Sequence, residues 1–316
     1  MTIVDAIVLG IVEGITEFLP VSSTGHLILT AWLLGLGETP EEKAAVDAFN
    51  VVIQGGAILA VAGLYWPRVR GMILGLLGRD ARGLSLFLKL VVAFLPAAIL
   101  GPLLDDAIEA KLFRPGPVLS ALALGGILLI VLKPWQERIL RAESDGGSAR
   151  RGIDSLSYRD CLLIGLLQCV AMWPGTSRSM MTIVGGLLVG LSPVAAAEFS
   201  FLLGLPTLGG ACVYKLLKEF RDHGGGTIDA LGGALPVTVG IVTAMIAAAL
   251  AVKWLVGFLG RNSMAIFGWW RIALAAGLGV GIATKAISIE PAAAETPSQG
   301  SDGMSASGGN SGASSP

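Results

Sequence analysis

The chain is 316 residues long, 53% hydrophobic and only 14% charged, with a mean hydropathy of +0.75 and a net charge of −1. A soluble domain carries about a quarter of its residues as charges, so the composition excludes an ordinary soluble protein. The missing basic excess gives no ground for a nucleic-acid partner. The sequence reads as an all-α polytopic membrane protein.

Apolar stretches fall at 2–19, 26–36, 46–66, 86–104, 117–133, 159–173, 178–191, 194–218, 229–257 and 264–287. The first has no basic n-region or small-residue cleavage site, and Glu13 and Glu17 interrupt it, so it is expected to belong to the mature protein. Several stretches are shorter than the ~20 residues that span a bilayer. The short ones come in two adjacent pairs, one flanking LPVSSTG and the other flanking WPGTSRS. Pro, Gly and clustered hydroxyls break helices, and irregular backbone survives at membrane depth only inside protein or beside a wet cavity. Each pair is therefore predicted to be a re-entrant helical hairpin.

Charge orients the chain. The loop after Trp66, with Arg68, Arg70, Arg79 and Arg82, and the loop from Lys133 to Asp154, with Arg138, Arg141, Arg150 and Arg151, are both predicted to be cytoplasmic. Counting outward, the first hairpin enters from outside and the second from inside, which gives inverted-topology repeats at about 1–133 and 158–288 within one membrane domain, 1–288. FLPVSSTGH (18–26) lies over MWPGTSRSM (172–180), with Pro20 over Pro174 and Ser23 over Ser177. Residues 142–155 are a polar linker. Residues 289–316, rich in Ser, Gly, Ala and Pro, are expected to form a disordered tail. Cys161, Cys169 and Cys212 have no metal-ligand spacing and read as small core residues. The row GGALPVTVGIVTAMIAAALA permits close helix approach within one chain or between two, so a homodimer is one outcome it allows.

The candidate site follows from the two polar turns. Glu13 and Glu17 are four apart and share a helix face. A carboxylate at the bilayer centre costs at least ~2.5 kcal/mol, so they need a partner, such as Arg178, or a purpose. They suit either a general acid/base pair or, as oxygen donors, the binding of a divalent cation, Mg²⁺ or Ca²⁺. His26 is one of two histidines, the other being His223 in a glycine-rich loop, and it suits a nucleophile or proton carrier. Ser22, Ser23 and Thr24 either cap the following half-helix or supply a nucleophile, with Ser23 three residues before His26. Arg178, beside Thr176, Ser177 and Ser179 at a half-helix start, presents the fork that phosphate oxygens match. The two turns are thus predicted to meet as one anion site at the midplane.

EGITEFLPVSSTGHLIL with PGTSRS, followed by AAAEFSFLLGLP, resembles the undecaprenyl-diphosphate phosphatase family of bacterial inner membranes, linked to bacitracin resistance. The resemblance covers roughly residues 4–286. It implies removal of one phosphate from the polyisoprenyl lipid undecaprenyl diphosphate, which recycles the carrier for peptidoglycan. It further implies a multi-pass inner-membrane enzyme with its pocket open to the periplasm. Carried over to this sequence, Glu13 and Glu17 are the acidic pair, Ser23 and His26 the catalytic hydroxyl and histidine, and Arg178 the phosphate-binding arginine; Ser22, Thr24, Ser177 and Ser179 line the pocket. Met180 and Met181 follow SRS where small residues are common, and Asn50 stands where the family often has an acid. The expected mechanism has Ser23 attack phosphorus with His26 as base, the alternative routes being a phosphohistidine or an activated water. The rival reading is a lipid-phosphate flippase or ion-coupled transporter that breaks no bond.

Overall fold

The computed structural model describes residues 1–37, 39–144, 151–223 and 232–284. Among these residues the chain is helical apart from turns and one isolated bridge between Arg151 and Leu191. The helices are α1 (Ile3–Thr16), α2 (Ser23–Leu33), α3 (Pro40–Leu64), α4 (Trp66–Leu76), α5 (Ala81–Leu112), α6 (Pro115–Val131) and α7 (Lys133–Ser144). A 3₁₀ turn, Ile153–Ser155, leads to α8 (Tyr158–Val170), α9 (Arg178–Leu188), α10 (Pro193–His223), α11 (Ala234–Leu259) and α12 (Ala265–Ala283). Six helical segments are long and apolar enough to cross a membrane, at 42–64, 81–112, 115–141, 193–215, 234–259 and 265–283. The chain is therefore a multi-pass membrane protein. The helices α1, α2, α8 and α9 are not among the six, since at 1.5 Å per residue an 11- to 14-residue helix reaches only about 16–21 Å.

Two predicted loops are ordered instead. The stretch after Trp66 forms α4, which starts with Pro67 in its first turn and packs back on α5, where Gly71 and Gly83 let the backbones touch. The end of the apolar stretch at residue 104 is not the end of its helix: α5 runs on to Leu112 because AIEAKL supplies good helix formers with Lys111 in the last turn. The polar linker is shorter than expected. Lys133–Ser144 is helical, residues 145–150 lie outside the described set, and Arg151 is already fixed by its ion pair with Asp160 (2.8 Å) and its bond to Val189 O (3.0 Å). His223 ends α10 rather than sitting in a loop. The predicted tail lies outside the described residues.

The charged ends agree with the predicted grouping of loops. Arg68 meets Asp154 (3.2 Å) and Glu198 (3.0 Å), and Lys89 donates to Asp154 O (2.9 Å). The region after α3 and the region before α8 therefore share one end of the bundle. The turn between α5 and α6 lies a helix length away, about 48 Å along the 32 residues of α5.

The core sits around α9, where Met180, Ile183, Val184 and Leu187 are buried against α8 and α10. Its counterpart is the seam between α1 and α11. Gly10 and Gly14 face Gly240, Ala244 and Ala248, and a Cβ at Gly14 would collide with Ala244 O. Small residues at four-residue spacing allow such approach, so this row serves a contact within the chain. Large apolar side chains such as Leu103, Leu188, Leu250 and Val280 point outward, as a lipid solvent requires.

Gly14→Val should lower the midpoint of thermal unfolding in detergent, because overpacking typically costs about 1–3 kcal/mol. Gly55→Ala, which meets nothing within 4 Å, serves as the neutral control. Equal midpoints for the two variants would refute this packing account.

Candidate active site

The first polar turn begins where α1 stops. A reciprocal capping box between Thr2 and Asp5 starts the helix. Glu17 closes it, its N–H still bonded to Glu13 O (2.9 Å), so the two glutamates lie one helical turn apart on the buried face, 1% and 6% exposed. Phe18, Leu19 and Val21 are buried, and the chain then turns at Ser22, which has φ 73° and ψ 103°. A non-glycine residue held there costs about 1–3 kcal/mol. Its carbonyl is in return aimed at His26, whose Nδ1 lies 2.8 Å away.

The second polar turn repeats this plan. A capping box between Ser157 and Asp160 starts α8, and the turn ends at Ser177, with φ 77° and ψ 113°, as the cap of α9. Ser22 and Ser177 are the only described non-glycine residues with positive φ. The conformational partner of Ser177 is thus Ser22, not Ser23 as the sequence alignment had it, and Arg178 stands where Ser23 stands. The register slips by one because the second turn spans 171–177 and the first only 17–22.

The two turns meet at the Glu17 carboxylate. Ser23 Oγ donates to Oε2 (2.8 Å), and Arg178 Nη2 donates to Oε1 (3.2 Å). Arg178 also donates from Nη1 to Ser200 O (2.9 Å), and its guanidinium lies 5.6 Å from the Phe18 ring centre. Ser179, fully buried, donates to Leu19 O (2.9 Å) and lies 3.1 Å from Ser177 Oγ, so a second bond ties one turn to the other. Thr176 and Ser22 are buried and Thr24 half-buried, and none makes a side-chain hydrogen bond among the described residues.

His26 is placed differently from expectation. Its Nδ1 faces Ser22 O and its Nε2 accepts from Trp270 Nε1 (2.8 Å), so neither nitrogen contacts Ser23. The group in hydrogen-bond contact with the Ser23 hydroxyl is Glu17. The three residues from Ser23 to His26 are nearly one helical turn, but His26 turns back to the strained carbonyl that its own cap residue exposes.

Both Glu13 oxygens are buried without a hydrogen-bond partner among the described residues, and Glu17, Arg178 and Gln54 are its near polar neighbours. An unpartnered buried carboxylate fits a hard cation, which takes oxygen ligands. No group of three His, Cys, Asp or Glu residues suited to a metal occurs among the described residues, and Glu13 and Glu17 are the two carboxylates that a cation would find here. Asn50 Oδ1 is likewise buried and unpartnered. Met180 and Met181 fill the core beneath α9, and the turn keeps a regular Met181 N to Ser177 O bond (3.2 Å). Cys161 and Cys212 are buried as expected, and Cys169 is half-buried.

Four contributors escaped the sequence reading: Ser200, Gln54, Trp270 and Arg271. Arg271 is fully buried and donates to Leu122 O (3.3 Å), Ala121 O (3.0 Å) and Gly175 O (2.8 Å), holding the second turn against α6. A charge inside the otherwise apolar run IFGWWRIALA is the available signal.

Fold and site define a polytopic helical membrane protein with a half-buried hydroxyl and a buried guanidinium at two helix starts, both bonded to one buried carboxylate, a set suited to phosphate. The chain belongs to the bacitracin resistance protein BacA family, whose model matches residues 6–277. A protein named undecaprenyl-diphosphatase from Sorangium cellulosum (strain So ce56) is 46% identical over 272 residues, which are 86% of this chain and 84% of that protein. Proteins of the same name from Acidovorax ebreus (strain TPSY) and Azotobacter vinelandii (strain DJ / ATCC BAA-1303) are 42% and 44% identical, over 86% and 85% of this chain and 92% and 90% of their own.

Removing one member of a buried ion pair typically costs about 3–5 kcal/mol, because the other charge is left unpaired. Arg178→Met should therefore unfold at markedly lower temperature in detergent, and adding Glu17→Gln should restore part of the loss. Strictly additive losses in that double-mutant cycle would show that the pair is not coupled.

Proposed function

We propose that this protein hydrolyses undecaprenyl diphosphate to undecaprenyl phosphate and inorganic phosphate, recycling the lipid carrier of cell-wall synthesis and thereby conferring bacitracin resistance. The observation that carries this reading is the Glu17 carboxylate bonded at once to Ser23 Oγ and to Arg178. A hydroxyl on a buried carboxylate is a nucleophile beside its base, and a guanidinium on the same carboxylate is where a phosphate exchanges in. The relatives' shared name agrees with this chemistry.

In the mechanism we favour, the diphosphate takes Arg178 from Glu17 Oε1, with the N-termini of α2 and α9 adding backbone donors. Ser23 Oγ attacks the terminal phosphorus and its proton passes to Glu17 Oε2. The bond from that phosphorus to the bridging oxygen breaks, and undecaprenyl phosphate leaves. Water then attacks the phosphorus of the phosphoserine, its proton passing to the product phosphate; the bond from phosphorus to Ser23 Oγ breaks, Oγ takes back the proton held on Glu17, and inorganic phosphate leaves. Ser22, Thr24, Thr176, Ser177 and Ser179 line the two turns around this centre, and His26 serves proton transfer once its Nε2 is free. A divalent cation, Mg²⁺ or Ca²⁺, held by Glu13 and Glu17 would supply charge neutralisation for the phosphate oxygens. Positioning and charge stabilisation provide most of the rate gain in such transfers.

The finer architecture belongs to this proposal. The pairs α1/α2 and α8/α9 are read as re-entrant hairpins of two inverted repeats, supported by their short helices, their capping boxes and the matched Ser22 and Ser177 conformations. The shared end of Arg68, Arg151 and Asp154 is read as cytoplasmic, and the enzyme is read as a bacterial inner-membrane protein with its site toward the periplasm.

The test is phosphate release from a C55 isoprenyl diphosphate by detergent-purified protein. Ser23→Ala should lower turnover by at least ~100-fold, in the range for loss of a positioned proton-transfer partner, and EDTA should lower it with recovery on adding Mg²⁺ or Ca²⁺. No release by folded wild type that still binds the lipid would overturn the phosphatase reading in favour of a flippase. Release unaffected by Ser23→Ala would overturn the nucleophile assignment.

A further inference from the structure

Trp270 lies on α12 with its side chain in a position that the reaction above does not use. Its indole N–H reaches His26 Nε2 at 2.8 Å. The two ring planes differ by 11° and their centres are 6.1 Å apart, which sets the rings side by side with the N–H directed along the plane of the imidazole, where the lone pair lies. An indole nitrogen only donates, and a backbone carbonyl only accepts. The Ser22 carbonyl at Nδ1 and the Trp270 N–H at Nε2 therefore hold His26 in one neutral tautomer with no free nitrogen.

The surroundings separate what is fixed from what can move. Arg271, the next residue, is fully buried and bonded to three backbone carbonyls, whereas Trp270 is 55% exposed. The indole can swing out while the helix that carries it stays anchored. His26 itself sits in the first turn of α2, one residue after Gly25, whose missing side chain leaves room for Leu122 and Leu274.

We propose that Trp270 is a removable cap on His26: diphosphate entry draws the indole N–H from His26 Nε2 to a phosphate oxygen, which frees Nε2 for proton transfer at the site. The proposal rests on the phosphatase reading for its ligand. Trp270 is then a positioning residue that also senses substrate, acting on the histidine rather than on the breaking bond. No covalent change occurs in the step, since one hydrogen bond is exchanged for another. A capped His26 is kept from competing for the Ser23 proton before substrate arrives.

Two measurements on the purified full-length protein test this, both independent of turnover. The first is the rate of carbethoxylation of His26 by diethyl pyrocarbonate in a His223→Gln background, where it is the one remaining histidine. Trp270→Phe keeps the ring and loses the donor. It should raise that rate about tenfold or more, as expected when the uncapped state is a minor population in the parent. Equal rates would overturn the cap. The second is the indole ¹H–¹⁵N spectrum, with the Trp270 signal assigned by its loss in Trp270→Phe. That signal should move in His26→Ala, and also when a non-hydrolysable isoprenyl methylenebisphosphonate is added to wild type. A signal that ignores the His26 change overturns the bond, and one that ignores the bisphosphonate overturns the exchange. Phosphate release by the same wild-type preparation is scored separately, so an inactive protein with a capped histidine would count against the phosphatase reading and leave the cap standing.

Discussion

The Glu17 to Arg178 ion pair is the constraint around which the rest of the molecule is arranged. Both side chains are almost wholly buried, 5% and 10% exposed, and a charge removed from water is tolerated only when paired and hydrogen-bonded. Each partner is accordingly held more than once. Glu17 also takes the Ser23 hydroxyl, and Arg178 also takes the Ser200 carbonyl and rests near the Phe18 ring. Because the pair joins residues 161 positions apart, it can form only if both broken segments arrive at the same place, and Ser179 on Leu19 O fixes that meeting with a neutral bond beside it.

The backbone meets this demand in the same way twice. Each segment starts with a capping box, runs one short helix, breaks, and restarts from a serine in a sparsely populated positive-φ conformation. Such a restart aims the first N–H groups of the new helix inward and places the next residue, Ser23 in one case and Arg178 in the other, at the junction. The strain at Ser22 and Ser177 thus has a structural purpose: an unstrained turn would point those two residues elsewhere. The seam of Gly10 and Gly14 against α11 complements it by letting α1 sit close enough to keep Glu13 and Glu17 away from lipid.

Much of this was legible in the sequence, for identifiable reasons. Short apolar stretches around Pro, Gly and hydroxyl clusters marked the two breaks, and the placement of Glu17, Ser23 and Arg178 in one site followed from the expense of burying charge. What local pattern could not carry was contact geometry. His26 follows Ser23 at helical spacing, yet its ring turns toward Ser22 O and Trp270, 244 residues away in sequence. Arg271 does not stand out because an apolar stretch with so few charges still reads as a span, and its three carbonyl partners come from α6 and the second turn. The loop after Trp66 was misjudged because positive charge sets the side of a segment but not its conformation. The one-residue slip between Ser23 and Ser177 arose because matching letters outweighed turn length.

The arrangement also bears on which ligands can enter. In the described state the groups that meet at Glu17 and at His26 are bonded internally: Ser23 and Arg178 by Glu17, and both nitrogens of His26 by Ser22 and Trp270. A ligand must therefore replace several internal bonds together, since breaking one leaves a buried group unsatisfied. A neutral lipid headgroup lacks the charge to draw Arg178 from a carboxylate. A monophosphate has the charge but a single phosphoryl group with which to engage Arg178, the helix N-termini and the indole N–H. A diphosphate has two such groups, and in the proposed mechanism it compensates all three while leaving Glu17 free to take the Ser23 proton. Loss of one phosphoryl group removes that advantage, so the internal bonds reform in competition with the monophosphate product and favour its release.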